Sequence, residues 1–138
     1  MHPSVERARR GGDRLRAIGL DVLSIEEAPG NFPLWMIARS GAPTERLWPL
    51  LSIEECERAD RFLRPELRQR YVAAHAALRL LIEHWFDIPA DGQRFERSDL
   101  GKMRLVGGGA AQLNLSYSAD HVLIGLAEGP EIGVDIER

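Results

Sequence analysis

Residues 66–85 read ELRQRYVAAHAALRLLIEHW and carry the clearest structural pattern of the chain. Their apolar side chains recur every three or four residues, which is the spacing of one helix face: Leu67, Tyr71, Ala74, Leu78, Ile82 and Trp85. Pro65 suits the first helical position, where a backbone N–H has no partner within the helix. Pro89 and Gly92 interrupt the pattern at the other end. This stretch therefore predicts one long amphipathic helix packed on a core.

The residues before this helix contain a second helix signal. Ser52 is followed three residues later by Glu55, and this pair is a capping box, in which each side chain bonds the other's backbone N–H. It predicts a shorter helix that runs to about Leu63. Further upstream, residues 34–38 predict a short buried strand and residues 45–51 a helical turn.

The residues after the long helix favour β-structure. Predicted strands cover Arg94–Arg97, Met103–Val106, Gln112–Ser116, His121–Ala127 and Glu131–Glu137. The turn signal Glu128-Gly129-Pro130 predicts that the last two strands pair in antiparallel fashion. Helices followed by strands linked by short turns predict an α+β fold, with two helices packed on a mainly antiparallel sheet.

Length and composition describe a single globular unit. The chain has 138 residues, a net charge of −3 and 44% hydrophobic residues, which disfavours a nucleic-acid-binding protein. Cys56 is the single cysteine, so no internal disulfide forms, and a reducing compartment such as the cytoplasm is expected. No apolar run reaches transmembrane length. Residues 1–31 are expected to be a loosely ordered extension with a short element at residues 20–25, and residues 32–138 one subdomain.

Two carboxylates occupy alternate positions of the last predicted strand. Asp135 and Glu137 would lie on one strand face, about 7 Å apart. Their oxygens suit a hard divalent cation such as Mg²⁺, but a solvated strand face explains the same pair. His75 and His84 share no metal-ligand spacing with other candidates, and we expect both to be structural or surface residues.

Three further groups suit phosphate. Lys102 is the single lysine in an otherwise arginine-based set of 18 basic residues, and its compact ammonium fits a point contact to phosphate, although chance explains it too. The segment Asn114–Ser118 leaves a strand for a turn, whose hydroxyls and N–H groups either hold phosphate or bond within the turn. Arg70 and Arg79 either bind phosphate through two nitrogens, or are solvated, or pair with Glu66 and Glu83, each four residues away.

These motifs occur in one order along the chain: Leu51-Ser52-x-x-Glu55 with Arg58 and Arg61-Phe62, Arg70 with Leu78-Arg79, Gly101-Lys102, Asn114-Leu115-Ser116-Tyr117-Ser118, and Gly133-Val134-Asp135-Ile136-Glu137. The ordered set resembles the surfactin-synthetase-activating type of 4′-phosphopantetheinyl transferase. The similarity runs from about Trp35 to Arg138 and covers the N-terminal half of such an enzyme. It implies one half of a pseudo-twofold fold, with the site between the two halves.

The resemblance implies a holo-[acyl-carrier-protein] synthase type of activity. In the reaction that the resemblance implies, a serine hydroxyl of an apo acyl or peptidyl carrier protein attacks the phosphate of coenzyme A that bears pantetheine, 3′,5′-ADP leaves, and Mg²⁺ assists. By this resemblance the metal ligands are Asp135 and Glu137, and the coenzyme A phosphates are contacted by Lys102, Arg70, Ser116 and Tyr117, with Arg58 a further candidate for the same surface.

The chain departs from the family pattern at three places. Tyr117 stands where the family usually has histidine, and a neutral tyrosine carries no positive charge for phosphate. Met103 replaces the proline that usually follows Gly-Lys. The Trp-x-x-Lys-Glu-Ala segment of the second half does not occur in residues 1–138. We therefore expect a homodimer or a partner chain that supplies the second half, and an incomplete or inactive enzyme without it. The alternative is a non-catalytic half that binds coenzyme A or a carrier protein.

Overall fold

The computed structural model describes residues 3–28, 32–38, 44–97, 99, 101–118 and 120–128. Its helices are α1 (Pro3–Ala17), α2 (Thr44–Leu47), α3 (Ile53–Asp60) and α4 (Pro65–Phe86), with 3₁₀ turns at Trp48–Leu50 and Ala90–Gly92. Its strands are β1 (Val22–Ala28), β2 (Phe32–Ala38), β3 (Phe95–Arg97), β4 (Met103–Leu105), β5 (Ala111–Tyr117) and β6 (His121–Glu128). The predicted α+β class is confirmed.

Four of these strands form one antiparallel sheet in the order β1-β2-β6-β5, and β3 and β4 form a separate two-stranded ribbon. Trp35 of β2 lies opposite Ile25 on one side and Ile124 on the other. Trp35 and Ile124 are fully buried, so the sheet's inner face forms one side of the core. The predicted strand at residues 131–137, and its pairing with β6, lie outside the described residues.

Helix α4 is the central element of the core. Every residue from Tyr71 to Ile82 is buried, which exceeds the single apolar stripe that the sequence predicted. A helix buried on all sides needs neighbours around it, and α4 contacts α1, α2, α3 and β6. Helix α4 ends at Phe86, and the next residue, Asp87, adopts a left-handed conformation with φ of 60°. Within the described residues, no helix is long and apolar enough to cross a bilayer.

The N-terminal segment is more ordered than the sequence predicted. The segment predicted as loosely ordered contains helix α1, and strand β1 overlaps the short element predicted at residues 20–25; both pack on the rest of the fold. The indole nitrogen of Trp35 donates to the Ala8 carbonyl over 2.9 Å, and Leu15 is fully buried. Gly11 allows α1 to approach α4 closely, because a Cβ at this position would lie 3.1 Å from the His84 side chain. Small buried residues gave α1 only a weak apolar pattern.

The capping box at the start of α3 is confirmed. The Ser52 hydroxyl accepts from the Glu55 N–H, and the Glu55 carboxylate accepts from the Ser52 N–H. The helix ends at Asp60, three residues before the predicted end. Arg68 of α4 explains the early end, because its guanidinium donates to the carbonyls of Ala59 and Phe62 and so satisfies groups that a helix end leaves unpaired.

Candidate functional site

A buried polar network joins α3 to α4. One Glu55 oxygen accepts from Arg79 Nε over 2.7 Å, and the other lies 2.8 Å from His75 Nδ1. Arg79 also donates to two backbone carbonyls, those of Ala90 and Gln93. Burial by itself raises the pKa of Glu55, but hydrogen bonds from His75 and Ser52 and the nearby positive charges outweigh it and lower that pKa. Glu55 is therefore an ionised group that fixes the two helices together.

This network forms the floor of a groove of about 1290 Å³ between α3, α4 and the β3–β4 ribbon. Tyr71 and His75 of α4 stack on each other along its wall, with ring centroids 4.1 Å apart. The exposed side chains of Arg58 and Arg97 also line it. The structure therefore places Arg58, a predicted phosphate contact, in the lining of this groove.

The phosphate interpretation of Arg79 is wrong, and so is its predicted pairing with Glu83. Arg79 is 3% exposed and is occupied by Glu55 and backbone carbonyls. Glu83 instead binds Arg14 and the Ala90 N–H. His75 is a buried structural residue, as expected.

Arg70 lies in a different environment from Arg79 and reaches the end of β5. Its guanidinium donates to the Ser118 carbonyl over 2.8 Å and lies 4.7 Å from the centre of the Tyr117 ring. This contact joins two motifs that are 48 residues apart in the sequence. Arg70 has five N–H donors, and its bond to the Ser118 carbonyl leaves other donors that can bind an oxyanion. The structure therefore brings together Arg70 and Tyr117, as the phosphate prediction requires.

The two tyrosines beside this contact are neutral phenols. Partial burial raises the pKa of Tyr117 to about 12, against the opposing effects of nearby arginines. Burial likewise raises the pKa of Tyr71 to about 12. Arg58 and Arg97 act electrostatically on both phenols, and Arg70 acts on Tyr117. The three arginines therefore concentrate positive charge around a pair of uncharged rings.

Lys102 and Ser116 belong to β4 and β5 or their flanks, and these two strands contact each other. Lys102 is half-buried and immediately precedes β4. Ser116 is a half-buried residue of β5, next to Tyr117. Gly101 precedes the lysine with φ of +82°, a left-handed conformation that favours glycine. The Gly-Lys pair thus forms a turn whose shape depends on the glycine.

The predicted metal ligands Asp135 and Glu137 lie outside the described residues. Among the residues that the structure does describe, no three His, Cys, Asp or Glu side chains are grouped to hold a metal ion. The two carboxylates therefore stay a prediction, as does the Mg²⁺ that they would hold.

One residue of the region was missed by the sequence analysis. Arg97 of β3 donates from Nη1 to the Gly101 carbonyl over 2.9 Å and lines the groove beside Arg58. Nothing in the local sequence distinguishes Arg97 from the chain's other arginines. Its position depends on the pairing of β3 with β4, which places it opposite Met103.

Comparison with known proteins gives one relative. A protein of Synechocystis sp. named "Putative 4′-phosphopantetheinyl transferase" is 36% identical over 90 residues. The match covers 64% of this chain and 37% of the relative, so the chain spans little more than a third of that protein's length. No protein-family model matches the chain, and no solved structure matches it significantly. The resemblance predicted from the ordered motifs is thus confirmed over the matched part of the chain, which is similar to a protein of that name.

Proposed function

We propose that this chain supplies the first half of a site that transfers 4′-phosphopantetheine from coenzyme A to a serine of an apo carrier protein. The observation that carries the proposal is the contact of Arg70 with Tyr117 and Ser118. It places a guanidinium at the strand end where the family motif puts phosphate. The relative's name supports the same class of reaction.

The residues of this region have distinct parts in the proposal. Arg70 binds phosphate oxygens through the nitrogens that Ser118 leaves available, and Lys102 adds a compact point charge. Ser116 and the neutral Tyr117 each donate one hydrogen bond. Arg58 extends the positive surface into the groove. Phosphoryl transfer depends mainly on positioning and charge neutralisation, which these groups provide.

The remaining parts of the site are proposals that rest on the motifs. Asp135 and Glu137 offer the carboxylate oxygens that Mg²⁺ prefers, and the cation would neutralise charge on the pyrophosphate of coenzyme A. We propose that the second half of the site comes from a second copy in a homodimer or from another chain. Coenzyme A and an apo acyl or peptidyl carrier protein are the proposed partners, in the cytoplasm.

A transfer assay tests this function. The chain is incubated with coenzyme A, Mg²⁺ and an apo carrier protein, and the carrier is weighed by mass spectrometry. Transfer adds one phosphopantetheine, and Arg70→Gln lowers the rate about tenfold or more because a charge-assisted phosphate contact is lost. Arg104→Gln is the matched control, because Arg104 is an exposed arginine of β4 that pairs with Glu96. No mass gain with any carrier would contradict autonomous transfer.

The second candidate function is a non-catalytic module that binds coenzyme A or a carrier protein. It is favoured by Tyr117, since a neutral phenol holds phosphate less strongly than the histidine typical of the family. Titration of coenzyme A separates the two functions. Saturable binding of coenzyme A without transfer by this chain would support the module and contradict autonomous transfer.

A further inference from the structure

Arg97 has a fixed position at the phosphate region and no assigned role there. Its Nη1 donates to the Gly101 carbonyl over 2.9 Å, which holds the guanidinium against the Gly101-Lys102 turn. Among the described residues, no other acceptor contacts the remaining N–H groups of Arg97, and no carboxylate forms an ion pair with it. An exposed guanidinium that is anchored by one bond and unpaired by acid can bind an anion with little loss of side-chain freedom.

The surroundings of Arg97 are those of the proposed phosphate contacts. Arg97 lines the same groove as Arg58 and Tyr71. Arg70, the residue before Tyr71 on α4, lies 4.7 Å from the centre of the Tyr117 ring. The positively charged side chains of this region thus come from three elements: Arg58 from α3, Arg70 from α4 and Arg97 from β3.

We propose that Arg97 is a further phosphate-binding residue of this site, held against Gly101 and so beside the predicted phosphate contact Lys102. This inference rests on the proposed function for the identity of the ligand, coenzyme A. It extends that function by a residue which the ordered motifs do not contain. Arg58, which lines the same groove, would share the charge of the bound phosphate groups with Arg97.

The test uses two probes, coenzyme A and inorganic pyrophosphate, titrated calorimetrically at fixed ionic strength. Arg97→Gln is expected to weaken the binding of both probes about tenfold, which corresponds to about 1.4 kcal/mol. Arg97→Lys keeps the charge but not the planar fork and is expected to lose less, about threefold. Arg104→Gln is the control on the same ribbon, since neighbouring strand positions face opposite sides. It is expected to bind like the unmodified chain.

Thermal unfolding of each variant shows that the fold is intact. If Arg97→Gln binds both probes as tightly as Arg104→Gln, the assignment of Arg97 is overturned and coenzyme A binding stands. If the unmodified chain binds pyrophosphate through Arg97 but not coenzyme A, the assignment of Arg97 is supported and the proposed function is overturned. Binding of neither probe by the unmodified chain would overturn both.

Discussion

Replacing Glu55 by glutamine is expected to cause a large loss of stability. Glu55 is 8% exposed, and its carboxylate is the shared acceptor of Arg79, His75 and the Ser52 N–H. Glutamine keeps the shape of the side chain but removes its charge. Its NH₂ group, itself a donor, would take the place of an oxygen that accepts from a neighbouring N–H. Because Arg79 then remains buried without its counter-charge, the expected loss is about 3 kcal/mol.

Urea denaturation followed by circular dichroism measures this loss. For a domain of this size the denaturant dependence is about 1–3 kcal/mol per molar urea, so the midpoint should fall by about 1–3 M. Glu57→Gln is the matched control, because Glu57 is an exposed acid of the same helix and should change stability by less than about 0.5 kcal/mol. Equal midpoints for the two variants would refute the view that Glu55 holds α3 to α4.

The pH dependence of the same comparison gives an independent check. The pKa of Glu55 is lower in the folded chain than its ordinary value of 4.5. A lowered pKa means that the stability from the ionised group is fully present above pH 4.5 and is lost as the pH falls through the folded value. The stability difference between the unmodified chain and Glu55→Gln should therefore be constant near neutrality and shrink in acid. A difference that stays constant down to pH 3 would contradict this.

Three further predictions concern the α1 contact and the phosphate region. Trp35→Phe removes the hydrogen bond to the Ala8 carbonyl and part of the core volume, and should cost about 2 kcal/mol in urea denaturation. Arg7→Gln removes a guanidinium that lies 4.3 Å from the Trp85 ring centre, and should cost about 1 kcal/mol, whereas an exposed arginine of the same helix should cost less. Tyr117→His should tighten coenzyme A binding several-fold at pH 5.5 and little at pH 8, since an ordinary histidine loses its charge near pH 6.5. Equal affinity of that variant at both pH values would contradict a phosphate next to position 117.

The parts of the fold that the sequence predicted correctly have strong local signals. The capping box at Ser52 and Glu55 and the three-to-four spacing of α4 depend on neighbours close in sequence, and both elements form. Helix α1 was missed because the positions that it buries include Ala8, Gly11 and Gly12, which carry little apolar surface. Its packing depends on close approach to α4, and no local pattern reports that.

Some residues of the candidate site were likewise predicted correctly from the sequence, and others were not. The ordered motifs identified Arg70 and Tyr117, and the structure joins them. Arg79 belongs to the same motif set, yet it is a buried partner of Glu55, because the sequence does not show which side of α4 meets α3. Arg97 was missed, since its place beside Gly101 follows from the pairing of two short strands.

Calorimetric titration of coenzyme A into the chain, with and without Mg²⁺, tests the central claim most directly. The account predicts saturable binding that Mg²⁺ strengthens, and that Arg70→Gln weakens about tenfold while Arg104→Gln leaves it unchanged. An absence of binding under both conditions, or equal affinities for the two variants, would contradict a coenzyme A phosphate site at Arg70 and Tyr117.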